Sequence, residues 1–198
     1  MNKPINTPCF MKKFLTLFLL LSLGPGPVSA EDGSRLWLRQ STDAHAQITA
    51  SRQSPTLNIA VRELKQAWKG LPVTLVLKKD KQLSSEGFRI RQVNGKLTVT
   101  SPSETGLLYA AYHLIRLQEM RNFGKPSETD QEITENPAYN LRILNHWDNL
   151  DRSIERGYAG KSLWNWEELP GTLSDRYEAY ARANASIGIN ATVLNNVN

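Results

Sequence analysis

The pattern that most constrains this chain lies in its last third. Leu141-Arg142-Ile143-Leu144 alternates as a strand does, and a strand over 139–146 follows from it. A helix is expected from about Ser174 to Ile187, with Tyr177, Tyr180, Ala181 and Ala185 on one side, and then a strand over Ile189–Leu194. Strand, helix, strand is the βαβ unit of a parallel sheet. One such unit cannot cover both faces of its two strands, so residues 137–198 are expected to open a larger domain, and the reading frame to be incomplete.

Between the first strand and the helix runs a long segment dense in Trp, Asp, Glu, Arg and Gly, beginning Asn145-His146-Trp147-Asp148-Asn149 and continuing through Asp151, Arg152, Glu155, Arg156 and Tyr158 to Gly160. A loop of that length inside a compact domain is functional or disordered.

Upstream, Ser54-Pro55 opens a helix over 55–69, with Ser as cap and Pro in the first turn, where its missing N–H costs nothing. Gly70 and Pro72 stop it. Leu36-Trp37-Leu38 reads as a short strand, and the β-branched and Leu run Val73–Leu77 as a strand covered on both faces. Phe88 and Ile90 alternate before Asn94-Gly95, and Leu97 and Val99 after it, which is a hairpin signature. A helix from about Pro102 to Met120 presents Leu108, Tyr109, Ala111, Tyr112, Ile115 and Leu117 on its apolar face. These elements make a small α/β layer over 31–125. Residues 126–136 carry no apolar period and read as a linker between two domains.

The first thirty residues have the composition of an export signal: Lys12 and Lys13, an apolar run from Phe14 to Leu23, and Val28-Ser29-Ala30 as a small-residue cleavage site. The protein is therefore expected outside the cytoplasm, in the periplasm or the medium, cut near Ala30. The apolar run is too short to span a bilayer, so no membrane attachment is expected after the leader is removed. Cys9 is the one cysteine and falls in the leader, which excludes disulfides and thiolate metal sites from the mature chain.

The 24 Lys and Arg against 19 Asp and Glu give +5, yet Lys3, Lys12 and Lys13 belong to the leader, so 21 cations face 19 anions in the mature chain, a balance of +2. That balance, without basic clusters interleaved by aromatics, gives no indication of a nucleic-acid partner. No spacing suggests a metal or cofactor, and oligomeric state is not set by any of these patterns.

Asn145 to Gly160, with Gly188-Ile189-Asn190 and Leu194-Asn195-Asn196-Val197-Asn198, resembles the start of the catalytic barrel in the alpha-glucuronidases of glycoside hydrolase family 67. The 31–125 region, with Gly106-Leu107-Leu108-Tyr109, resembles the domain that precedes the barrel there and, more loosely, in hexosaminidases. The resemblance implies an α/β fold class: a small N-terminal α/β domain followed by the first βαβ unit of a TIM (β/α)₈ barrel, incomplete over 137–198.

It also implies an enzyme that removes α-1,2-linked (4-O-methyl)glucuronic acid from xylo-oligosaccharides with inversion, its site on the loops after the strand ends. Inversion needs an acid and a base roughly 6.5 to 9.5 Å apart. In the family these come from later strands, so none of the carboxylates here is assigned to catalysis, and the 198 residues alone are expected to be inactive. The resemblance implies that Trp147 faces the uronic acid; by their own chemistry Glu155, an acceptor for hydroxyls, and Arg156, a two-pronged donor to a carboxylate, are expected to reach the sugar, as is Asn196 after the second strand.

The residues themselves leave other roles open. Asp148, Asp151 and Glu155 can pair with Arg152 and Arg156 and with loop N–H groups to hold the backbone; His146 is a scaffold residue or a proton carrier; Tyr158 anchors the loop by filling a gap; Trp164 and Trp166 cover the following helix or form a sugar platform. Arg152 and Ala191 stand where the family pattern has Gly, and at a positive φ the former would be strained. A non-catalytic secreted carbohydrate-binding or partner-binding module is the competing class.

Overall fold

The computed structural model describes residues 37–39, 41–43, 46–121, 123–126 and 129–194. The expected leader and Asn195–Asn198, Asn196 among them, lie outside the described residues.

The first layer is a five-stranded sheet carrying two helices on one face. In chain order it comprises β1 (Ile48–Ala50), α1 (Pro55–Ala67), β2 (Val73–Leu77), β3 (Phe88–Val93), β4 (Lys96–Ser101), α2 (Glu104–Arg121) and β5 (Gln131–Glu135). The spatial order is β1-β2-β4-β3-β5, with β1, β2 and β4 mutually parallel and β3 antiparallel to both β4 and β5.

Local chemistry explains the elements. Ser54 caps α1, its hydroxyl accepting from the Leu57 N–H. The hairpin turns through Asn94 (φ 49°) and Gly95 (φ 71°), the two left-handed residues that a primed two-residue turn requires. Leu57, Leu64, Trp68, Leu75, Ile90, Leu97, Val99, Leu107 and Leu114 meet between the helices and one face of the sheet, and form the core. At its end the Trp68 ring lies against Gly124 (φ 82°), where a Cβ would come within 2.3 Å of the indole.

Four expectations are corrected here. Trp37–Arg39 form a 3₁₀ turn, not a strand; Leu36 is outside the described residues. β2 has the expected bounds but is covered on one face only: Val73 and Leu75 are buried while Thr74 is exposed on the helix-free side. The 126–136 segment is not simply a linker, since 131–135 are β5, paired along the edge of the same sheet with β3. Its polar alternation hid it, because only Ile133 turns towards the core. The expected strand over 139–146 shrinks to β6 (Ile143–Asn145), and that over 189–194 to β7 (Ala191–Val193). Ahead of β6 the Arg142 guanidinium donates to the Tyr139 carbonyl at 2.6 Å and to that of Gly188 at 2.5 Å.

β6 and β7 are parallel, in register Ile143 with Ala191, and are joined through α3 (Asp175–Ser186), capped by Ser174. The expected βαβ unit is thus present. It packs on the first layer through α2 and α3, and polar groups seal the contact. Glu63 on α1 is 1 % exposed and accepts a two-pronged bond from Arg182 on α3, at 2.8–2.9 Å. Burial, and the neighbouring Glu63 charge, push the phenol of Tyr112 far above its ordinary pKa. Glu86, before β3, holds Arg142 at 2.6 Å.

Candidate functional site

The loop after β6 is a hydrogen-bonded structure of its own. The ladder of β6 runs on by one bond, His146 N–H to the Val193 carbonyl at 3.0 Å. The chain then makes three passes, bridged at Asp148 with Ile154 and at Ser153 with Lys161. Glu155 N–H donates to the Trp147 carbonyl at 2.7 Å, and Ser162 N–H to that of Arg152 at 2.8 Å. Turning so tightly takes four left-handed residues: Gly157 and Gly160, both at 91°, and two that are not glycine, Arg152 at 71° and Glu155 at 52°. A side chain at such a φ costs about 1 kcal/mol relative to Gly. The conditional strain at Arg152 is therefore real.

The charges pair differently from expectation. No ion pair among the described residues joins Asp148, Asp151 or Glu155 to Arg152 or Arg156. Hydroxyls satisfy the acids instead. Asp148 is 2 % exposed and accepts from Ser162 Oγ at 2.5 Å. Asp151 accepts from the hydroxyl and N–H of Ser153, bonds that hold its carboxyl below the usual range. Glu155 accepts from the Tyr158 phenol, whose pKa that bond raises.

Trp147 is 53 % exposed at the end of β6, held by its own carbonyl rather than by packing. Arg156 is exposed beside it in sequence order of the same loop, and Glu155 is half-buried. Trp147, Glu155 and Arg156 are thus brought into one loop. Tyr158 does not fill a gap, being 76 % exposed; the glycines beside it make the turn and its hydroxyl serves Glu155.

Behind this rim stands a cluster that sequence reading missed in part. His146 Nε2 and the Tyr180 hydroxyl share a 2.6 Å hydrogen bond, and Tyr180 reaches Thr192 Oγ1 at 3.5 Å. Trp164 stacks on Tyr177 at 5.3 Å and meets His146 and Tyr180 edge-on. His146 is thus hydrogen-bonded within the cluster, and Trp164 packs against Tyr177 and Tyr180 of α3. Trp166 braces the loop, its indole N–H donating to the Asn149 carbonyl at 3.3 Å. Tyr180 was visible as part of a helix face; nothing local marks Ser162 as the partner of Asp148. Among the described residues no group of three or more His, Cys, Asp or Glu could hold a metal.

Residues 123–198 match the glycosyl hydrolase family 67 middle domain. Over 93% of its length the chain is 33% identical to alpha-glucuronidase A of Aspergillus tubingensis. These residues belong to glycosyl hydrolase family 67. The chain is also 28% identical to alpha-glucuronidase A of Emericella nidulans over 95% of its length. It spans about a quarter of these curated relatives, 25% and 27% of their lengths. Among solved structures it is similar to a GH138 enzyme targeting pectin rhamnogalacturonan II, with a TM-score of 0.54 at 17% identity, covering 75% of this chain and 18% of that one. That likeness concerns the fold alone, a mixed α/β arrangement.

Proposed function

We propose that this chain is part of an exported alpha-glucuronidase, in which residues 31–125 with β5 form the N-terminal α/β domain and β6-α3-β7 open a (β/α)₈ barrel. The whole enzyme removes α-1,2-linked (4-O-methyl)glucuronic acid from xylo-oligosaccharides with inversion, and the loop after β6 positions the sugar. One observation carries this reading: at a strand's C-terminal end, where barrel enzymes bind substrate, an exposed Trp147 ring and an Arg156 that has no ion pair among the described residues share a loop whose acids are already engaged.

The chemistry fits the residues. A Trp face takes the apolar side of a pyranose, and a guanidinium takes a carboxylate through two parallel bonds. Asp148, Asp151 and Glu155, each bonded to a hydroxyl, serve as supports and not as acid and base, so this chain by itself performs no hydrolysis. Asn196 is assigned to a sugar hydroxyl at the end of β7.

Calorimetric titration with glucuronic acid tests the reading. Trp147→Ala and Arg156→Ala should each weaken binding at least tenfold while leaving the thermal midpoint within about 2 °C, since both side chains are exposed. Unaltered affinity in both variants, or uronic acid released from aldouronic xylo-oligosaccharides above a mock preparation, sinks it.

A further inference from the structure

Among the described residues Arg152 forms hydrogen bonds through its backbone and none through its side chain. Its N–H donates to the Asn149 carbonyl at 3.0 Å and its carbonyl accepts from Ser162. By contrast, its Nε is buried without a hydrogen-bond partner, and no ion pair engages the guanidinium among the described residues. A side chain that brings strain at φ 71° and forms no internal bond contributes nothing visible to the fold.

The side chain lines a cavity of about 170 Å³, together with Leu150, Asp151, Asn165, Trp166 and Glu167. The indole of Trp166 is pinned in that wall by its bond to Asn149. Asp151 spends one carboxylate oxygen on Ser153, and among the described residues its other oxygen accepts no hydrogen bond. The space is well below that of a drug-sized site and suits a single sugar ring.

We propose that this cavity is a subsite for one neutral pyranose of the sugar chain, with Arg152 as its hydrogen-bond donor, an assignment that rests on the reading of the loop as sugar-binding. Ring hydroxyls accept from the guanidinium and donate to Asp151 and Glu167, while the apolar ring face meets Trp166 and Leu150. Two carboxylates against one guanidinium leave the cavity negative, so it takes a neutral sugar and repels a uronate. The site is therefore distinct in chemistry from Trp147 and Arg156, which face the acidic sugar.

The test separates binding from folding. Xylotriose is titrated calorimetrically into the full chain and into Arg152→Gly, and glucuronic acid in parallel into the full chain and Arg156→Ala. Glycine relieves the left-handed strain, so Arg152→Gly should melt about 2 to 4 °C higher yet bind xylotriose at least tenfold more weakly. A residue with only a structural role cannot move these two readouts in opposite senses. Xylotriose affinity equal in Arg152→Gly and wild type, or no wild-type binding of xylotriose, overturns the subsite. Glucuronic acid affinity indifferent to Arg156→Ala, with xylotriose still dependent on Arg152, overturns the parent reading and leaves the subsite standing.

Discussion

The five-stranded layer and the region after β6 are held together by opposite means. In the layer, apolar side chains from two helices and one sheet face close on each other, and Leu64, Leu75, Ile90 and Val99 are wholly out of solvent. From Leu141 onward the buried groups include Asp148 and Ser162 beside Trp164 and Tyr177, while Leu141, Ile143, Leu144, Leu150 and Leu194 are exposed. Apolar burial is indifferent to exact angles; a hydrogen-bonded loop is not. The layer therefore supplies stability, and the loop supplies a shape fixed well enough to meet a ligand.

The largest effect should come from the layer. Leu75→Ala on β2 opens a hole in a region that cannot collapse, and is expected to cost about 3 to 4 kcal/mol in urea unfolding. A loss below 1 kcal/mol would erase the contrast between the two regions.

At the seam, Glu63→Ala strips the partner from Arg182. A buried pair broken from one side costs about 3 to 5 kcal/mol, and because the Arg182 side chain keeps 29% exposure the expected cost is nearer 2 kcal/mol. Two separate melting steps in this variant would sharpen the comparison into two cooperative units; one weakened step keeps them joined.

The smallest effect is that of acid. Hydrogen bonds from Ser54 and Arg52 lower the Glu104 pKa in the layer. Hydrogen bonds from Ser153 do so for Asp151, and those from Asn165 and Tyr177 for Glu168, beyond β6. A carboxyl whose pKa falls on folding contributes fully above its unfolded value, and that contribution is lost as pH drops through the folded one. Thermal midpoints measured between pH 6 and 3 should therefore fall below about pH 4.5. Glu104→Gln and Glu168→Gln should each flatten that fall; a midpoint that rises on acidification contradicts the assignment.

How much of this was legible follows the same division. The Ser54 cap, the Asn94-Gly95 turn and the bounds of β2 rest on chemistry within a few residues, and were read correctly. β5 was not, because an edge strand with polar side chains on both faces has no apolar period. Nor was the one-sided cover of β2: a β-branched run does not say how many layers lie over it. In the loop, the strain at Arg152 followed from its place in a motif, whereas the hydroxyl partners of the acids did not. Choosing Ser162 over Arg152 for Asp148 depends on a fold-back fourteen residues long. The pairing of Glu63 with Arg182 spans 119 residues and leaves no local trace.

That last pair carries a consequence for how the molecule is made. Synthesis runs from the N-terminus, so the surface bearing Glu63 and Tyr112 leaves the ribosome before α3 is translated. The finished layer then acts as an intramolecular template: its buried Glu63 carboxylate, with Arg62 and Arg116 on the same helix pair, faces the later helix, and the register that delivers Arg182, Glu178 and the Ser186 carbonyl to them satisfies all three. The first domain thereby sets the angle at which β6, and the rim it carries, is laid down.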